Sequence, residues 1–258
     1  MAHRESTRAH VYKWVFGLNF LMILFIFAEP TAKRILESVW QRGHFVYVAT
    51  ASLDLHAFFG FGFLGLFAAQ IALGFRARAK GGRPKSGTRH RRLGRTFAYV
   101  ILPLFILGGA WVIIDRAFLL GTARSTLFHQ HRAFVVIEML HVLGLIAYFA
   151  VRGVRTIRRK DIEGHVDSML GLFLSAGLLA TIRLLYAIIW ATIGENPLSI
   201  SGTYLLAVAV TFVELVVVFG LAGRLTNNRT PLWVFAGSTI VMAVLGLPLY
   251  SVWDTPVL

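Results

Sequence analysis

The chemistry of this chain is to be sought in the ionisable residues that stand inside apolar stretches. His56 lies in "SLDLHAFFG", Glu138 and His141 in "IEMLHVLG", Arg183 in "ATIRLLYAIIW" and Glu214 in "TFVELVVV". Such groups are costly among aliphatic neighbours and are functional candidates by default. A carboxylate buried beside an imidazole titrates nearer neutrality, as proton transfer requires, and a neutral imidazole nitrogen is also the commonest metal ligand in proteins. Glu138 and His141 are three apart and share one helical face, whereas Asp54 and His56 are two apart and point to different sides, which makes Asp54 the weaker member. Two more histidines, His90 in "RHRRLGR" and His165 in "RRKDIEGHVDSMLG", stand where basic segments meet apolar ones.

The elements that must position these residues follow from composition. Of 258 residues, 57% are hydrophobic and only 15% charged, with a mean hydropathy of +0.68, so the chain reads as a polytopic membrane protein. Runs near the ~20 residues that span a bilayer occur at about 12–28, 45–75, 96–114, 133–151, 168–192, 203–223 and 231–250. The expected fold is all-α: one transmembrane domain, 1–258, of seven helices, with helices two to five as a four-helix central core. Cysteine is absent, which excludes disulfides, thiolate metal sites and thioether-linked haem. No phosphate-cradling glycine loop or zinc-protease box stands on an apolar run, and the glycines of "FFGFGFLG" and "LGLFLSAG" read as close-packing points between helices.

The net charge of +14 is distributed unevenly. Segments 1–13, 76–95, 152–160 and 224–229 hold 19 Lys and Arg, and the alternate segments 29–44 and 115–132 hold 6. The positive-inside rule then gives a multi-pass protein of the cell membrane with its N-terminus cytoplasmic and its C-terminus outside. Basic segments beside anionic lipid account for the charge, so the expected partners are membrane lipids and not nucleic acid. The first run ends in "FAEPTA", which leaves a cleaved signal as the alternative to an anchor helix. Oligomeric state is not legible.

Depth, counted inward from the outer ends, puts His56 at about 16 Å, His141 at about 12 Å, Glu138 at about 8 Å, Arg183 at about 13 Å and Glu214 at about 16 Å. Arg183 and Glu214 are therefore expected to form a buried ion pair on adjacent helices. The second run overshoots the bilayer, and counted from its inner end His56 lies near the outer surface, where His131 of "FHQHR" replaces His141 as its partner. His90 and His165 precede the third and fifth helices at one cytoplasmic level. Four central helices thus offer two layers of two imidazoles separated by ~20 Å, which is what bis-histidine ligation of two haem b groups requires. Arg89 and Arg92, beside His90, would pair with haem propionates.

Three stretches, "HAFFGFGFLGLFAAQ", "RHRRLGR" and "RRKDIEGHVDSMLGLFLSAGLLATIR", resemble the boxes of an uncharacterised integral-membrane family with an HRxLGR motif and a later HxxxM...R segment, over roughly residues 50 to 190. The order of helices and histidines is also similar to the two-haem, ascorbate-reducible transmembrane cytochromes b. That resemblance implies transmembrane electron transfer from a small-molecule donor, with His56 and His141 (or His131) as outer haem ligands and His90 and His165 as inner ones. The chain departs from that family in its seventh helix, in the spare histidines of "FHQHR" and in the arginines that crowd His90. Two other readings stand beside this one. In the first, a membrane enzyme uses Glu138, His141, Arg183 and Glu214 as acid, base and anion clamp on a lipid-like substrate; in the second, a non-catalytic membrane subunit uses its polar cluster only to fix helix packing.

Overall fold

The computed structural model describes residues 51–79, 84–115, 132–193 and 230–252, together with parts of 14–24 and 206–220. Among these residues the protein is all-helical, without strands. Six α-helices are bounded: α1 (Ala51–Ala79), α2 (Pro84–Thr96), α3 (Leu102–Ile114), α4 (Arg132–Arg158), α5 (Ile162–Ile193) and α6 (Thr230–Val252). Three stretches are long and apolar enough to cross a membrane: Leu55–Gly74, Thr88–Ile114 and Val136–Arg158. The runs expected at 12–28 and 203–223 appear only as helical positions within 14–24 and 206–220. The chain divides into two compact units, Phe27–Asp115 and Met1–Ile26 with Arg116–Leu258. The four helices expected as one core are shared between them.

In the first unit α1 packs along α2, a π-helical turn (Phe97–Ile101) and α3. The helix carrying the third span does not begin at 96 as expected: it starts at Pro84, in the basic segment read as loop, so His90 lies on a helix rather than ahead of one. Pro103 explains the π turn. Its ring lacks an N–H and crowds the carbonyl four residues back, and the wider turn is closed instead by the Leu102 N–H donating to the Phe97 carbonyl. Around this turn Phe63 meets Phe67, Phe97 and Phe105 with ring centroids 5.7, 5.3 and 4.7 Å apart. Phe58, Leu107, Trp111 and Ile114 are exposed, as side chains facing acyl chains must be.

In the second unit α4 and α5 form a hairpin, with α6 packed against both. The segment 152–160, also read as a loop, is helical to Arg158. The turn that follows is chemically explicit. Lys160 adopts φ 60, its N–H donates to the Ile157 carbonyl, and the Asp161 N–H donates to the Thr156 carbonyl, which is the Schellman closure with lysine where glycine is usual. Asp161 then caps α5 by accepting from the Gly164 N–H at 2.8 Å. The helix starts at Ile162, so His165 also lies on its helix and not before it.

Apolar side chains gain little by leaving lipid for a neighbouring helix, so such bundles rely on close approach at small residues. Gly171 shows the constraint: a methyl there would strike the Phe149 ring, 2.7 Å from Cζ, and Phe149 is fully buried. Gly171→Ala should therefore cost ~1–3 kcal/mol. At the exposed Gly144 nothing lies within 4 Å of an added methyl, so Gly144→Ala should raise stability by ~0.5–1 kcal/mol through helix propensity. Thermal unfolding of both variants in one detergent checks the opposite signs.

Candidate functional site

The first unit carries two of the expected histidines at opposite ends of one antiparallel helix pair. At one end α1 and α3 cross so closely at Gly108 that a methyl there would lie 3.5 Å from the His56 Cα. The His56 ring stacks on Phe105, centroids 5.1 Å apart and planes 23° apart. At the other end Gln70 donates to the His90 carbonyl at 2.9 Å, Gly94 faces the Gln70 amide, and the His90 ring edge lies 3.7 Å from a methyl position on Gly74. The contacts keep one register across the π turn, because 56 to 74 on α1 and 108 to 90 on its partner both span eighteen residues. At ~1.5 Å per residue this is ~27 Å, close to the ~30 Å hydrocarbon thickness of a bilayer. The stacked phenylalanines lie between the two ends.

The arginines around His90 do not gather on it. At ~100° per residue, Arg89 and Arg91 lie ~100° to either side of His90, and Arg92 lies ~160° away, on the far side of α2. All three are exposed, whereas His90 is half-buried.

The second unit holds the other cluster. Glu138 on α4 is 1% exposed and lines a small cavity with His141, Leu178, Ile182, Val208, Phe212, Phe235 and Thr239. The cavity leaves about 10 Å³ for the centre of a water-sized molecule, room for one water and for no lipid chain. Across it, His141 Nε2 lies 2.9 Å from Ser238 Oγ on α6. The serine hydroxyl donates to the Phe235 carbonyl at 3.0 Å, so it accepts from His141, and the proton of the neutral imidazole sits on Nε2. The remaining His141 nitrogen, Nδ1, is buried without a hydrogen-bond partner among the described residues. Arg183 lies on α5 next to Ile182, but its side chain, like Glu214, His131 and the Asp54 side chain, falls outside the described residues.

His165 has the opposite tautomer. Its Nδ1 lies 2.9 Å from the Gly153 carbonyl, which can only accept, so Nδ1 carries a proton and, in the neutral ring, Nε2 keeps its lone pair. A backbone carbonyl holding one ring nitrogen is the usual way a metal-ligating histidine is oriented. Gly153 allows this approach: a methyl there would meet the Met169 Cε and come within 3.8 Å of His165 Nδ1. Two residues on, Asp167 is 3% exposed. Sequence reasoning passed over Asp167 because of its polar surroundings, and over Gln70 and Ser238 because single amide and hydroxyl groups in apolar runs drew no attention.

Among the described residues no three His, Cys, Asp or Glu side chains gather as a metal site, so the histidines offer single ligands for pairing and not a cage. Tested against haem, His165 fits, with its proton placed and its second nitrogen available, and His90 fits as a half-buried imidazole beside small residues. At His141, Nε2 is engaged by Ser238, so the nitrogen that iron takes in haem proteins has another partner. No family profile matches the chain, and neither a curated protein nor a solved structure matches it.

The His141–Ser238 bond yields a direct test. Ser238→Ala leaves a buried imidazole N–H without its acceptor and should cost ~1–3 kcal/mol. His141→Phe combined with Ser238→Ala should cost less than the sum of the two single changes, by ~0.6 kcal/mol, typical of such pairs in membranes. Denaturation of the four proteins in mixed micelles measures this coupling.

Proposed function

We propose that the chain is a b-type cytochrome-like membrane protein that carries electrons across the bilayer between two bis-histidine haem sites, its N-terminus cytoplasmic. The observation that carries this reading is that His56 and His90 mark the two ends of one helix pair, with eighteen residues of each helix between the two levels, ~27 Å along the axis, a separation that supports one half-buried imidazole near each membrane face. The tautomer of His165, set by the Gly153 carbonyl, supports its role as the second inner ligand. On the outer side the engagement of His141 by Ser238 favours His131 as the partner of His56.

Haem b, when bound, supplies a one-electron couple at each site. The protein's own contribution is orientation and exclusion of water. Gln70 fixes the backbone of His90, Gly153 fixes the ring of His165, and the phenylalanine stack from Phe105 through Phe63 to Phe67 and Phe97 fills the interior between the two levels. A small-molecule reductant is the proposed donor. The enzyme reading, with Glu138, Arg183 and Glu214 as its working groups, finds less support, because the cavity beside Glu138 holds no more than one water.

Haem content per chain of the full-length protein, purified from cells supplied with haem precursor, tests the proposal. Wild type should carry two haems. His90→Ala and His165→Ala should each remove the same one, and His56→Ala the other. Full haem content in either inner variant, or a colourless wild type, would contradict it.

A further inference from the structure

We propose that Arg91, Arg92 and Arg95 form a recognition face for the phosphate of anionic phospholipids, independent of whether haem binds. Around α2 at ~100° per residue, Thr88, Arg89, Arg91, Arg92, Arg95 and Thr96 fall on one arc of ~160°, and all six are exposed. His90, Leu93, Gly94 and Phe97 fill the opposite arc, and all are half-buried or buried. Arg91 and Arg95 are one turn apart with Arg92 beside them, so three guanidinium groups occupy ~100° of the surface, and Thr88 lies within that sector. Guanidinium forks bind phosphate oxygens in a bidentate manner, which a lone lysine cannot do.

What marks this face as a lipid site and not a solvated patch is its continuation. The same helix runs without a break through the π turn, where Tyr99 is exposed, into α3, where Pro103 and Leu107 are exposed. Counted at ~100° per residue these side chains fall on the arc that carries the arginines, and the smaller rotation per residue of the π turn keeps them on it. Arg95 stands twelve residues before Leu107, or ~18 Å along the axis. One leaflet of a ~30 Å core is ~15 Å deep, so a lipid whose headgroup is at the level of the three arginines has its chains along Tyr99 and Pro103 and their ends near Leu107. Zwitterionic lipids present the same phosphate beside a cation, so the preference is for a headgroup whose charge is uncompensated.

The test uses the full-length protein in detergent, titrated with defined mixtures of phosphatidylglycerol and phosphatidylcholine, with bound lipid counted by native mass spectrometry. Wild type should retain phosphatidylglycerol in preference. The triple variant Arg91→Gln, Arg92→Gln, Arg95→Gln should bind it about a hundredfold more weakly, each basic residue at a membrane surface contributing roughly fivefold. The corresponding triple lysine variant should fall between the two. Arg95→Gln alone, a single exposed change, should lose roughly fivefold, so the proposal stays testable if the triple variant does not fold. An unchanged preference in the glutamine variants would overturn the proposal. Displacement of phosphatidylglycerol by equimolar inorganic phosphate would also overturn it, because the ligand would then be free phosphate.

Discussion

Close approach of helices at glycine, in a solvent that offers apolar side chains no reason to associate, is the constraint on which the described structure depends. Gly108 brings α3 onto His56, Gly94 admits the Gln70 amide to the His90 carbonyl, Gly74 receives the edge of the His90 ring, and Gly153 lets His165 reach across the α4–α5 hairpin. Each of these glycines touches a histidine or the group that holds one. The small residues that key the packing are thus also the ones that fix the imidazoles.

Polar groups in such an interior must be satisfied within the protein, and this chain does so at two ranges. The hydroxyls of Ser168, Ser175 and Thr181 on α5 and of Thr239 on α6 each donate to a carbonyl four residues back, which satisfies their protons within their own helix. Among the described residues, hydrogen bonds from Gln70 to His90, His141 to Ser238 and His165 to Gly153 cross between helices. Their geometry distinguishes the imidazoles by tautomer, with the proton on Nε2 in His141 and on Nδ1 in His165. The chemistry open to the two histidines differs accordingly.

The helical class and the spans at 55–74, 96–114 and 136–151 were legible from apolar runs, since length and hydropathy are properties of the sequence. The helix from Pro84 to Thr96 was not. Its arginines hide an amphipathic pattern whose packed face, among the described residues, is His90, Leu93 and Gly94, too short to register as an apolar run. The extension of α4 to Arg158 was missed for the same reason. Glu138 was recognised as a buried acid from its position, and the structure buries it. How the arginines beside His90 are spread was not legible while the segment read as a loop: on a helix, adjacency in sequence means ~100° of rotation. Ser238 as the partner of His141 was out of reach, because it lies 97 residues away and no spacing rule connects them.

The central claim is that imidazoles near the two membrane faces hold redox-active haem, and the absorption spectrum of the purified full-length protein, oxidised and then reduced with ascorbate, tests it most directly. The account predicts a Soret band that shifts and sharp α and β bands that appear on reduction, as six-coordinate low-spin haem b gives. A haem-replete preparation with no such bands, or with a high-spin spectrum that reduction leaves without a sharp α band, would contradict it.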